Sequence, residues 1–119
     1  MSRHNFKELK VWQKSRLLVV EVYKLTAQFP SSEKFSLISQ INRAVVSISS
    51  NIAEGAGRNT DKDFAHFLDI AMGSSFEIES QLMNAKDLEF ITENDLTEIL
   101  RQINEIQKML VGFQKTLRQ

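Results

Sequence analysis

The sequence lacks cysteine and has little proline or glycine. Its 119 residues include no cysteine, one proline and four glycines. Without cysteine the chain has no disulfides, thiolate metal sites or cysteine nucleophiles, which agrees with a reducing compartment. Proteins built from many short strands need more turn residues than this, so the composition favours helices.

The chain also lacks a long apolar run and a net charge. No window approaches the roughly 18 consecutive apolar residues of a membrane-spanning helix, and the first ten residues contain no apolar segment of the signal-peptide type. We therefore expect a soluble, cytoplasmic protein with no membrane partner. The 15 basic and 15 acidic residues cancel, which argues against indiscriminate binding to polyanions.

The two signs of charge are unevenly distributed along the chain. Residues 1–34 hold seven basic and three acidic residues, a balance of +4, whereas residues 61–105 hold eleven acidic and three basic residues, a balance of −8. A nucleic-acid-binding edge would produce this asymmetry. Two oppositely charged helices that pack side by side would produce it as well.

Apolar residues recur at intervals of three and four along four segments, which is the period of amphipathic helices. Pro30 ends the first segment, because the residue before a proline disfavours helical geometry. Thr60 and Thr92 can cap the third and fourth segments with their hydroxyl groups. Four helices with short connections predict an all-α fold, an antiparallel up-down-up-down four-helix bundle, in a single domain over residues 1–119. We predict helices at roughly 6–29, 32–56, 60–89 and 93–117.

Small residues and glycines give two further local predictions. Residues 71–75 contain one alanine, one glycine and two serines in the middle of the third predicted helix. Small side chains let another backbone approach, so we predict close packing of a neighbouring helix there. Gly55 and Gly57 are predicted to end the second helix.

A polar stripe runs along the second predicted helix, opposite its apolar side. Short serine and asparagine side chains are mediocre helix formers and are unusual on a face that contacts only solvent. We therefore expect this face to be covered by another subunit or by an extended ligand, although a polar contact inside the bundle would give the same pattern. The polar stripe consists of Gln40, Arg43, Ser47, Asn51, Glu54 and Arg58.

No arrangement of catalytic or ligand-binding residues is found in the sequence. Residues 55–60 lack the preceding strand and the third small residue of a dinucleotide-binding loop, and no Gly-Lys-Ser/Thr follows them as in a P-loop. His4 and His66 are the only histidines, and there is no HExxH motif, no Glu-x-x-His pair and no serine beside a candidate base. We therefore predict that the protein is not an enzyme and has no catalytic residue, cofactor or metal site.

Four basic residues near the N-terminus form a second candidate site, for nucleic acid. Their spacing of 4, 3 and 4 predicts one face of the first helix, near Trp12, from which they can contact phosphate groups. Oligomerisation would repeat this patch, so that avidity would strengthen weak single contacts. An ordinary solvated helix start gives the same pattern. The basic patch consists of Arg3, Lys7, Lys10 and Lys14.

Several blocks of the sequence match a known pattern. They are FKELKVWQ at 6–13, FPxxExFxL at 29–37, QxxRAxxSIxxNIAEG at 40–55, Arg58, and FLxxAxGS at 67–74. With these blocks the chain resembles the four-helix bundle proteins encoded in intervening sequences of bacterial 23S rRNA. The resemblance runs from about residue 6 to the end, and the block at 40–55 is its most specific part.

The resemblance implies a compact antiparallel four-helix bundle that assembles as a ring-shaped homopentamer. The chain is also similar to the accessory variability protein of diversity-generating retroelements, a pentameric bundle that binds nucleic acid and a reverse transcriptase. It differs from that protein in having zero net charge in place of a strongly basic surface. We therefore expect a homo-oligomeric assembly or scaffold module. The alternative is an RNA-binding or nucleic-acid-binding protein, with RNA or a nucleic-acid-processing protein as a further partner.

Overall fold

Four α-helices make up the fold in a computed structural model that describes residues 4–119. No strand occurs within that range, and the predicted all-α four-helix bundle is confirmed. The molecule measures 47 × 24 × 20 Å. The helices are α1 (Lys10–Thr26), α2 (Leu37–Ala56), α3 (Asp61–Asp87) and α4 (Glu93–Leu117).

The helices occupy the corners of a square cross-section in chain order. α1 packs on α2 and α4, and α3 packs on the same two helices, most extensively on α2. Over the described residues, α1 and α3 do not contact each other. They therefore stand at opposite corners of the bundle.

The core is formed by the apolar residues that recur at helical intervals. Ile48 of α2, Leu68 of α3 and Ile103 of α4 are fully buried, and Leu18 of α1 is 1% exposed. Burying a side chain of this size contributes about 1.5–3 kcal/mol relative to leaving it in water. The period of three and four therefore identifies the faces that hold the bundle together.

The chain before α1 is not continuous with that helix, and the predicted start at residue 6 is wrong. Asn5 caps only a single 3₁₀ turn, Phe6–Glu8, after which Leu9 is extended at φ −76° and ψ 123°. The break lets the Phe6 ring pack edge-on against Trp12, with ring centroids 4.9 Å apart. Before this turn in the sequence, the backbone N–H of His4 donates to the carbonyl oxygen of Ala56, at the end of α2, at 2.9 Å.

The predicted start of the second helix at residue 32 is also wrong. Ser31–Glu33 form a separate 3₁₀ turn, and α2 begins only at Leu37. Between them Ser36 has φ −123° and ψ −99°, which is not helical. Its hydroxyl donates to the Glu33 carboxylate at 2.9 Å, so a local side-chain hydrogen bond competes with continuation of the helix.

Gly55 lies inside α2 and does not end it. The residue is buried against α3, where a Cβ would lie 2.7 Å from the Cβ of Phe67 and 2.9 Å from Cδ1 of Phe64. Gly57 follows the helix, as predicted, but with φ −86° it does not use the left-handed conformation. The connection from α2 to α3 needs only residues 57–60.

The small residues of α3 only partly serve close packing. Ala71, Ser74 and Ser75 are buried, as the prediction requires. Gly73 is exposed, and a Cβ built on it would meet nothing within 4 Å. The prediction of close packing is therefore wrong at Gly73, because no neighbouring helix of the chain approaches it.

Candidate functional site

The middle of the polar stripe is covered by the chain's own third helix. Ser47 and Asn51 are half-buried. The hydroxyl oxygen of Ser47 lies 2.8 Å from that of Ser74 in α3. The Asn51 amide donates to the Ser47 carbonyl at 2.8 Å and to its hydroxyl at 3.0 Å. A polar contact inside the bundle therefore accounts for these two members of the stripe.

The two ends of the polar stripe are exposed. Gln40 and Arg43 lie at one end, and together with Ser47 of the stripe and Glu77 of α3 they line an open groove of about 380 Å³. The groove carries the Arg43 cation and the Glu77 carboxylate. It can therefore donate charge-assisted hydrogen bonds to an anionic group and accept them from a cationic one.

At the other end, Glu54 and Arg58 are exposed. The Arg58 guanidinium carbon lies 4.6 Å from the centre of the Phe67 ring, within the range of a cation–π contact. Five of the six stripe residues lie on α2, and Arg58 lies beyond its end at Ala56. Two of the six are committed to contacts inside the bundle and four face solvent.

The basic patch is not one continuous helix face. Arg3 lies outside the described residues, Lys7 belongs to the 3₁₀ turn, and Lys10 is the first residue of α1. The extended Leu9 separates Lys7 from Lys10. The predicted alignment of these residues on one helix is therefore wrong, although Lys7 and Lys10 are both exposed.

Lys14 is already engaged by an acid of α4. Its ammonium group pairs with Glu105, and the hydrogen bond from Lys14 lowers the pKa of that carboxyl group, as does the Lys14 charge itself. Arg101 lies 3.7 Å from the other oxygen of Glu105 and pairs with Glu98 at 2.7 Å. Its hydrogen bond lowers the pKa of Glu98. Lys14 thus belongs to a network of alternating charges on the α1–α4 surface.

The charge asymmetry of the sequence maps onto opposite corners of the bundle. α1 carries four basic residues and one acid, a balance of +3, whereas α3 carries two basic residues and six acids, a balance of −4. These two helices do not touch. Ion pairs with α4 or its C-cap account for Lys14 of α1, which pairs with Glu105. They also account for Asp69 and Lys86 of α3, which pair with Arg118 and Glu93. The remaining acidic surplus of α3 is not explained by such packing.

Large apolar side chains are exposed on the same two helices. Sequence reasoning missed them because it took the apolar period of three and four as the sign of a buried face and did not consider the apolar residues outside it. The exposed side chains on α1 are Leu17, Val20 and Tyr23, and those on α3 are Ile70, Phe76 and Met83. The signal was present in the sequence as apolar residues outside the strict period of three and four.

The part of the chain that the structure describes contains neither a cluster of metal-binding side chains nor a membrane-spanning helix. In residues 4–119 no three His, Asp or Glu side chains come close enough together to hold a metal ion. No helix in the same range is long and apolar enough to cross a membrane.

The fold and surface define a small all-α bundle protein with a polar stripe on one side and apolar side chains exposed on two helices. The sequence profile of the 23S rRNA-intervening sequence protein family matches residues 7–112. The chain therefore belongs to the 23S rRNA-intervening sequence protein family. No curated protein gives a significant match.

A solved structure supports this assignment. The crystal structure of a protein of unknown function from the S23 ribosomal protein family, from Bacteroides thetaiotaomicron VPI-5482, is similar to this chain with a TM-score of 0.82 and 30% sequence identity. The match covers 88% of this chain and 98% of the other. The expected family resemblance is confirmed.

Proposed function

We propose that this protein is a non-enzymatic assembly module that works as a homo-oligomer, with the ring-shaped pentamer implied by the resemblance as its form. The observation that carries the proposal is the amount of apolar surface left exposed on the outward sides of α1 and α3. Leu17 is 65% exposed and Phe76 is 57% exposed. Contiguous apolar surface on a small protein commonly marks an interaction site.

The polar stripe supports the same proposal. Its exposed ends place Arg43 and Glu54 three turns apart on one helix, with the half-buried Ser47 and Asn51 between them. A second copy that covers this side can pair with both charges and accept the remaining hydrogen bonds. The stripe then forms part of a polar rim around an apolar contact, as is usual at protein interfaces.

The Glu105 carboxyl group in the groove between α1 and α4 is poorly suited to acid–base catalysis. The groove between α1 and α4 is lined by Lys14, Arg101 and Glu105, and the pKa of Glu105 is lowered by Lys14. A carboxyl group with a lowered pKa is fully charged at neutral pH and makes a poor general acid or base, which needs a pKa near the working pH.

The oligomeric state tests this proposal directly. Light scattering after gel filtration is expected to give five times the 13.7 kDa mass of one chain. A single species of 13.7 kDa throughout the micromolar range would overturn the proposal. A stable oligomer of another size would retain the assembly module and reject the pentamer.

Binding of RNA is a second candidate function, favoured by the exposure of Lys7 and Lys10 beside the Phe6–Trp12 pair. A ring would repeat these cations, and each phosphate contact makes binding more sensitive to salt. The double variant Lys7→Gln/Lys10→Gln is expected to weaken binding to 23S rRNA fragments and to reduce its salt dependence. Lys62→Gln, on the exposed side of α3, is the control. Equal binding by all three proteins would reject this candidate.

A further inference from the structure

The outward side of α1 is an apolar face without a partner in the chain. Leu17, Val20 and Tyr23 are 65%, 49% and 46% exposed. These three residues follow one another at intervals of three, so that each side chain is next to the following one on the helix surface. Val20 therefore lies between Leu17, which borders the groove beside α4, and Tyr23, and the three side chains form a row, the α1 face, across the outward side of the helix.

The outward side of α3 has an apolar notch. Ile70 and Phe76 are 40% and 57% exposed, and Gly73 lies midway between them. Glycine inside a helix costs about 1 kcal/mol relative to alanine. Because a Cβ on Gly73 would meet nothing within 4 Å, packing inside the chain gives no reason for a glycine there. The α3 notch has room for a side chain from another molecule.

The two surfaces carry opposite charge. The balance is +3 on α1 and −4 on α3, and the one acid of α1, Glu21, pairs with Lys24 at 4.0 Å. Since α1 and α3 stand at opposite corners, one chain cannot bring the two surfaces together. On α1 the exposed charges include Lys10, Arg16 and Lys24. On α3 they include Glu77 and Asp87, besides the basic Lys62 and Asp69, which pairs with Arg118 of the same chain at 2.7 Å.

We propose that the α1 face of one copy packs into the α3 notch of a second copy, with Leu17 and Val20 against Gly73. This inference rests on the proposed function, and it names the surfaces through which the copies meet. The apolar side chains supply the buried area. The opposite charges orient the encounter and disfavour contacts between two α1 faces or two α3 notches.

The contact is head-to-tail, because each copy offers two different surfaces. A copy bound through its α1 face keeps its α3 notch free for the next copy. Such heterologous contacts repeat and close into a ring when the rotation between copies allows it, whereas a two-fold dimer buries the same patch on both partners. The proposed contact thus accounts for a cyclic assembly.

Four single substitutions at exposed positions test the contact. Leu17→Glu places an acid on the α1 face, and Gly73→Arg fills the α3 notch with a cation. The matched controls lie on α4, where Val111 is 43% exposed and a Cβ on Gly112 meets nothing within 4 Å. They are Val111→Glu and Gly112→Arg. We expect each of the two test variants to raise the concentration for half-assembly at least about tenfold, and both controls to assemble as the unmodified protein does.

A mixture of the two test variants decides whether the contact is head-to-tail. Leu17→Glu keeps an intact α3 notch, and Gly73→Arg keeps an intact α1 face. An equimolar mixture should therefore form a dimer of twice 13.7 kDa and nothing larger. The mixture is analysed by light scattering at the highest concentration at which both variants stay soluble, with circular dichroism to show that both are folded.

The outcomes separate this inference from the proposed function. If the unmodified protein assembles and folded Leu17→Glu and Gly73→Arg assemble equally well, the inference is wrong and the assembly module stands. A mixture that contains only monomers, or that restores the full oligomer, rejects the head-to-tail contact. If the unmodified protein is a monomer, the proposed function fails and this inference fails with it.

Discussion

Gly55 of α2 packs directly against Phe67 of α3, so closely that a Cβ on Gly55 would lie 2.7 Å from the Phe67 Cβ. The Phe64 carbonyl oxygen would be 3.3 Å away, so backbone as well as side chain blocks the added methyl group. We expect Gly55→Ala to lower the free energy of unfolding by about 2 kcal/mol, because overpacking of a close contact forces the helices apart. Urea denaturation measures the change.

Gly57→Ala is the control for that substitution. Gly57 lies two residues further on, its φ is −86°, and its nearest neighbour to an added Cβ is at 3.6 Å, an ordinary contact. We expect Gly57→Ala to be neutral or slightly stabilising. Equal stability of both alanine variants would show that α2 and α3 do not approach as closely as described.

Glu89, after the end of α3, is the non-glycine residue with a positive φ among the described residues, at 66°. The Phe90 N–H donates to the Ala85 carbonyl at 2.9 Å across this turn, which is the helix ending that usually has glycine at the left-handed position. We expect Glu89→Gly to raise the free energy of unfolding by about 0.5–1 kcal/mol, since relief of the left-handed strain outweighs the greater freedom of glycine when unfolded.

Glu89→Ala separates strain from charge in this experiment. It removes the same carboxylate but keeps a Cβ, so we expect no gain in stability. The comparison is made by thermal denaturation at one pH. A gain of equal size in both variants would assign the effect to the lost charge and contradict the role of the backbone.

Thr60 and Thr92 cap α3 and α4 in the same way. Each hydroxyl oxygen accepts from the backbone N–H three residues later, Asp63 and Asp95 respectively, at 3.1 Å. Replacing either threonine with alanine should cost about 1 kcal/mol, and serine should restore most of the loss. Thr97→Ala, at an exposed position inside α4, should cost nothing. Urea midpoints that shift equally for all three alanine variants would contradict the capping role.

Lys14 controls the titration of Glu105. Because the Lys14 hydrogen bond is the largest cause of the lowered pKa of Glu105, we expect Lys14→Gln to raise that pKa towards its ordinary value. The charge of Lys108 is the smallest contribution, so Lys108→Gln should raise the pKa less. Carboxyl-carbon NMR titration measures both. A larger effect from Lys108 would contradict the assignment.

The same pKa shift gives the direction of a pH dependence. The folded pKa of Glu105 is lowered, so the carboxylate stabilises the fold at pH values above its unfolded pKa. This contribution is lost as the pH falls through the folded pKa. In Lys14→Gln we therefore expect a smaller loss of stability on acidification than in the unmodified protein.

The sequence predicted α3 and α4 to within two residues, because Thr60 and Thr92 are local capping signals that need no tertiary contact. It misplaced the starts of α1 and α2. The break at Leu9 accompanies a contact between two aromatic rings that are six residues apart, and a helical period does not reveal such a contact. Helix caps could be predicted from the sequence because they depend on neighbouring residues. The break before α1 could not, because it is accompanied by a packing contact.

The candidate site shows the same limit. The spacing of polar residues predicted a stripe along the second helix, of which Arg58 lies beyond the end of α2. The spacing could not show that Ser74 of α3 covers Ser47. That contact depends on which faces of two helices meet. For the same reason, the sequence alone does not distinguish the exposed apolar side chains of α1 from its core residues. The distinction depends on which sides of α1 pack against α2 and α4.

The short connection between α2 and α3 bears on the order in which the chain folds. Residues 57–60 join the two helices that pack most extensively, so their contacts close small loops and lose little chain entropy. Proteins rich in such local contacts fold fast. We therefore expect the α2–α3 hairpin to be structured first in the folding transition state, with α1 and α4 docking onto it afterwards.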